Sequence, residues 1–158
     1  MSTGESLQDV HGPNGHCFGC GPKNDKGLRI RSIVEGDEVV CEWLGRPEHQ
    51  AWEGALNGGI VGCLFDCHCN WTAAWHLWEA SGRDGEFPST VTAEFTVKLQ
   101  RPTDSKHPVT IRARVAKASK RSATIEATMT DAEGHVTATC EGTFVSVPPG
   151  HPAYHRWE

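Results

Sequence analysis

Asp66 is the residue in this chain most suited to chemistry. It sits inside the most apolar stretch, Gly58 to Trp78, where its polar company is His68, Asn70 and His76. A carboxylate there loses hydration, which is costly unless it is paired or has a task. No Lys or Arg lies one helical turn away, and position i+4 holds Asn70, a neutral hydrogen-bonding partner. Such a carboxylate can attack a carbonyl directly or activate water as a general base. The structural alternative is an Asp satisfied by loop amides. Eight residues earlier, Gly58-Gly59 open the same run. Free amides at a helix start bind negative oxygen, and a missing side chain lets a carbonyl approach. The pair suits an oxyanion hole, or else a tight packing turn. His49, Gln50 and Asn57 precede it in one loop and are candidates for orienting water or substrate, against the ordinary reading of solvated loop residues.

The seven cysteines offer a second chemistry. Cys17-x-x-Cys20 with adjoining His16, and Cys67-His68-Cys69, carry the ligand types of a tetrahedral zinc site joining the amino-terminal arm to the helix. Residues 67, 68 and 69 point to different sides of a helix, so at most some converge. The alternative is small buried thiols that fill space. Trp71, Trp75 and Trp78 recur at helical spacing, as core or subunit-contact residues do, whereas Trp43 and Trp52 flank the candidate loop and are placed to line a pocket.

These groups need elements to hold them. Residues 1–26 are rich in Gly, Pro, Asn and Asp and read as an irregular arm. Residues 27–33 alternate through Leu28, Ile30 and Ser32, and Val39 to Leu44 follow across the Glu35-Gly36-Asp37 turn, which predicts a hairpin. Gly45 to Asn57 reads as a loop. The run from Gly58 is too long for a strand and apolar almost all round, which predicts a helix buried on most faces. Val91, Ala93, Phe95, Val97 and Leu99 alternate with polar residues as one strand. Strands at 109–118, 124–130 and 135–147 follow, with Asp131 to Gly134 as a hairpin turn and Gly142 as a bulge. Residues 27–147 form the domain and 148–158 a short tail. Short turns make the late strands an antiparallel meander. Only a curved sheet wrapped around the helix buries the helix on most faces.

Composition limits the function classes. The chain has 158 residues, enough for one ordinary domain. A net charge of −5 argues against wholesale nucleic-acid binding. Met1 to Val10 is polar, without the pattern of a secretory leader, and no stretch suits a membrane span. An odd number of cysteines inside periodic segments suggests reduced thiols and a cytoplasmic protein.

The element order is that of a hotdog fold, an α+β architecture. Gly54, Asn57-Gly58-Gly59 and Asp66 eight residues after Gly58, with His49-Gln50 before them, resemble the active-site segment of PaaI-type hotdog acyl-CoA thioesterases of the 4-hydroxybenzoyl-CoA thioesterase superfamily. The strand ending in Arg101-Pro102 and the hairpin over 131–145 are similar to that family's second half. Cys17-Phe18-Gly19-Cys20-Gly21-Pro22 with Gly27-Leu28 is similar to the arm of one of its branches. Asn57 stands where most relatives have His. The resemblance implies hydrolysis of an acyl-CoA, with Asp66 as base or nucleophile, Gly58 helped by Gly59 at the oxyanion, and Asn70 and the loop residues positioning water and substrate. It implies no metal or redox cofactor, with CoA only as part of the substrate, and a homodimer or tetramer formed through edge-strand pairing. Arg101, Lys117, Lys120 and Arg121, at the ends of late strands, are candidates for the CoA phosphates. The rival readings are a hotdog hydro-lyase or isomerase, a non-catalytic acyl-CoA sensor, and a zinc-stabilised structural protein.

Overall fold

The computed structural model describes residues 4–158. Met1 to Thr3, the start of the segment read as lacking a leader, lie outside the described residues. A short helix, α1 (Leu7–His11), is followed by β1 (Ile33–Glu35) and β2 (Glu38–Trp43). A single 3-10 turn at Pro47–His49 then leads into the small strands β3 (Gln50–Trp52) and β4 (Ala55–Leu56). The long helix α2 (Gly58–Ala80) comes next, then β5 (Thr90–Leu99), β6 (Val109–Ala118), β7 (Ser122–Thr130) and β8 (Val136–Ser146). The main sheet is antiparallel in the order β1-β2-β6-β7-β8-β5 and packs against α2, giving the hotdog architecture.

Alternation places one face of β5, β6, β7 and β8 on the helix. Val39, Cys41 and Trp43 lie beside Val109, Ile111 and Ala113, then Ile125, Ala127 and Met129, then Ala138, Cys140 and Phe144, all buried. Twelve residues of α2 are buried on several sides of the helix, which explains why its sequence lacks a polar stripe. The arm and the tail enter the same core through Leu7, Cys20 and Trp157. Among the described residues no helix is long and apolar enough to cross a membrane.

Three expectations about local structure are corrected. Residues 27–32 are not a strand. Leu28, Ile30 and Ser32 are buried as their alternation suggests, but the amides of Leu28 and Ile30 donate to the carbonyls of Phe18 and Gly19 in the arm. The loop before α2 contains the β3–β4 pair. Gly142 is not a bulge. It pairs in register with Phe95 and Ile125, and a Cβ there would meet the Phe144 ring and Phe95 at about 3 Å.

The bulge lies instead in β5. Thr92 pairs with Phe144 and Glu94 with Thr143, so Ala93 is the extra residue. A one-residue insertion exchanges the two faces of a strand. Phe95, Val97 and Leu99 therefore share the helix-facing side with Thr90 and Thr92, not with Val91 and Ala93.

Candidate functional site

The re-aimed face of β5 meets α2 through two polar pairs. Thr92 Oγ1 donates to Asp66 Oδ1 at 2.6 Å, and Thr90 Oγ1 donates to Asn70 Oδ1 at 2.5 Å. Four helix residues rise about 6.0 Å and two strand residues about 6.7 Å, so successive pairs stay in step. Asp66 is half-buried, whereas Asn70 and Thr90 are buried. The pairing uses Oδ1 and leaves the second carboxylate oxygen of Asp66 without a hydrogen-bond partner among the described residues. Sequence reasoning missed Thr90 and Thr92. Their signal is visible only once the bulge is known, because unbroken alternation places them on the outer face.

The start of α2 is equally specific. Asn57 is its N-cap, and its Oδ1 accepts from Gly59 N at 2.8 Å and Ile60 N at 3.3 Å. The side chain expected to touch substrate is thus engaged with the helix, and so is the Gly59 amide. The Gly58 amide has no acceptor among the described residues. Gly58 lines a cleft of about 340 Å³ with Trp52, Leu56, Val61, Leu99 and Arg101. A Cβ on Gly58 would come within 3.2 Å of Leu99 Cδ1, so the absent side chain keeps the amide open to the cleft. A larger hollow of about 480 Å³, with Thr96, Lys98, Glu126 and Glu141 in its wall, lies on the outer sheet face, away from these groups.

His49 and Gln50 support the loop. The buried His49 accepts from Arg46 N through Nδ1 at 2.9 Å, its carbonyl takes the Asn57 amide, and burial together with Arg46 lowers its pKa. Gln50 accepts from Gly54 N and donates to the Pro47 carbonyl. Trp52 stands exposed at the cleft, whereas Trp43 is buried and donates to the Leu28 carbonyl. Of the four basic candidates, only Arg101 lies beside Gly58. The Arg101 amide bonds to Thr137, at the start of β8, and the Arg121 carbonyl bonds to Ser146 at its end. Those two points are about 30 Å apart along a strand. Lys117 and Lys120 share the Arg121 end.

His68 belongs to the core. Its Nε2 donates to the Val39 carbonyl at 2.9 Å, and its Nδ1 accepts from Ser32 Oγ at 2.8 Å, a tautomer fixed because a carbonyl only accepts. Gln8 completes the network by donating to Ser32 Oγ. Burial lowers the His68 pKa to about 4.

An antiparallel sheet packed on one long helix, with a carboxylate in mid-helix and a glycine amide without an acceptor at its start, defines a hotdog protein. The sequence model of the thioesterase superfamily matches residues 54–138, and the chain belongs to that family. None of the curated proteins matches the sequence. Solved structures do match in fold. A thioesterase superfamily protein from Shewanella loihica PV-4 is 20% identical, with a TM-score of 0.66, over 90% of this chain and 100% of its own. The E. coli PaaI protein from the phenylacetic acid degradation operon is 17% identical, with a TM-score of 0.62, over 80% and 88%. A hypothetical thioesterase from Streptococcus pneumoniae TIGR4, solved with coenzyme A, is 14% identical, with a TM-score of 0.62, over 75% and 85%.

Proposed function

We propose that this protein hydrolyses an acyl-CoA thioester to the free acid and CoA. The observation that carries the proposal is the pairing of Asp66 with Thr92 on a helix whose Gly58 amide is left without an acceptor. Hydrolysis adds water across the C–S bond. The Asp66 carboxylate takes a proton from the attacking water, or attacks the carbonyl itself to form a mixed anhydride that water then hydrolyses to the free acid and the carboxylate; in either case sulfur leaves with the bonding electrons as CoA thiolate. The Gly58 N–H donates to the carbonyl oxygen as it becomes an oxyanion, a contact that stabilises the transition state by about 3 kcal/mol in comparable sites. Thr92 holds the carboxylate in one orientation, so the reactive oxygen is positioned before substrate arrives.

Gly58 and Asp66 lie eight residues apart on one helix, about 12 Å along its axis. One carbonyl cannot touch both. A complete site therefore takes Gly58 from one copy and Asp66 from another. β5 supports such pairing, because it is a ten-residue edge strand with Phe95 40% and Leu99 58% exposed. Arg101, at the cleft rim, suits a CoA phosphate. The coenzyme A in the S. pneumoniae structure supports that ligand class.

The test is loss of thioester absorbance with a panel of aliphatic and aromatic acyl-CoAs, comparing the wild type with Asp66→Asn. Turnover that collapses in the variant supports the proposal. Tight CoA-ester binding without turnover on any substrate refutes it and identifies a sensor.

A further inference from the structure

Four thiols that the hydrolysis does not use converge where the arm crosses α2. Cys17 and Cys20 bracket a tight turn of the arm, and Cys63 and Cys67 lie one turn apart on one face of α2. The sulfur atoms of Cys17, Cys20 and Cys67 all lie within 4.8 Å of one another, with Cys17 and Cys67 3.8 Å apart. The Cys63 sulfur borders the same turn, 3.1 Å from where a Cβ on Gly19 would stand. All four are free, and 3.8 Å is far beyond the about 2.05 Å of a disulfide. Thiolates held about 2.3 Å from a tetrahedral zinc ion lie about 3.8 Å from one another.

Two surrounding features fit a bound ion. A side chain at Gly19 would collide with the Cys67 sulfur and come within 3.1 Å of the Cys63 sulfur, so the turn is bare where the helix thiols enter it. The Trp71 indole N–H is buried without a hydrogen-bond partner among the described residues, and the group it approaches is the Cys20 sulfur. A thiol accepts such a proton weakly and a thiolate far better.

We propose that Cys17, Cys20, Cys63 and Cys67 form a structural Zn2+ site that ties the arm to α2. The spacings, two residues between the first pair and three between the second, are those of zinc ligand pairs. Four protein ligands leave no open position, so the ion holds structure and takes no part in the reaction. Binding exchanges the ion's waters for four thiolates, releases the thiol protons to solvent and moves no electron. The sequence alone offers His16, His68 and Cys69 beside Cys17, Cys20 and Cys67 as ligands. The structure replaces those three with Cys63, whose signal is its four-residue spacing from Cys67.

The experiment is elemental analysis of the full chain, purified without chelator, beside Cys17→Ser, Cys63→Ser and the outlying Cys140→Ala. Wild type and Cys140→Ala should carry one zinc per chain and the two serine variants much less. A strong chelator should lower the Tm of the wild type. If the serine variants do not fold, cobalt titration of the stripped wild type decides, with thiolate charge-transfer and tetrahedral ligand-field bands expected at one equivalent. The proposal is overturned by wild type that binds neither zinc nor cobalt stoichiometrically, by iron in place of zinc, by full zinc in Cys63→Ser, or by a Cys17–Cys67 disulfide in fresh protein. None of these outcomes bears on the thioesterase assay, so the two proposals fail separately.

Discussion

Acidification should weaken this protein well before its carboxylates titrate, and His68 sets the size of the effect. Its ring is fully buried, and burial holds its pKa at about 4 against an ordinary value of 6.5. The folded state therefore binds fewer protons than the unfolded state between those values. The stability this contributes is complete above pH 6.5 and is lost progressively as the pH falls toward 4. Weighting the two protonation curves gives a loss of about 2 kcal/mol between pH 7 and pH 5, and about 3 kcal/mol in full. His11 and His49 shift in the same direction, chiefly through burial, and add to the slope. Urea unfolding followed by tryptophan fluorescence at several pH values gives the curve, with the m-value checked for constancy. His68→Gln should flatten it by about 2 kcal/mol over the same interval. If the variant does not fold, the His68 ring can be titrated in the wild type by NMR. Equal slopes in wild type and variant, or a ring that titrates near 6.5, would refute the reasoning.

Three substitutions probe the site. Thr92→Val keeps the branched shape but removes the donor to Asp66. A hydrogen bond to a charged group contributes about 1.5–3 kcal/mol, so kcat/KM on the best acyl-CoA should fall about ten- to a hundredfold, while Thr92→Ser retains most activity. Asn57→Ala removes the N-cap of α2 and should cost about 1 kcal/mol in denaturant unfolding, and an unchanged midpoint would show that the cap contributes nothing. Gly58→Ala introduces a Cβ 3.2 Å from Leu99 Cδ1, at the end of a flexible side chain. The fold should survive, as circular dichroism would show, while kcat falls because the methyl group occupies the approach to the amide.

Much of this fold is legible from hydrophobic period alone. The bounds of α2 follow from where the unbroken apolar run begins and from the glycines that open it, and β6, β7 and β8 follow from alternation between clear turns. Buried alternation was also correct at Leu28, Ile30 and Ser32. It does not make a strand there, because the amides of Leu28 and Ile30 bond to the arm, and a sequence carries no direct record of backbone partners. Of the proposed site, the carboxylate and the glycine are legible in the sequence. Asn57 was read as a substrate contact, although an Asn directly before an apolar helix is an N-cap signal in its own right. Thr90 and Thr92 were hidden by the bulge at Ala93, since a residue-by-residue alternation has no means of marking an inserted residue. His68 and Gln50 bond internally, and only their distant partners, Val39 and Ser105 among them, reveal that.

The bulge also divides β5 into two stretches that can change independently. Thr90 and Thr92, before it, hold Asn70 and Asp66, and Leu99, after it, borders the cleft at Gly58. Thr92 and Leu99 are separated by about 20 Å of strand, beyond the distance at which substitutions usually influence one another. Within one chain, selection or design acting on the shape of the cleft can therefore accumulate changes around Leu99 without disturbing the tether on Asp66. A lineage built on this strand can reshape the cleft while inheriting the same tethered carboxylate.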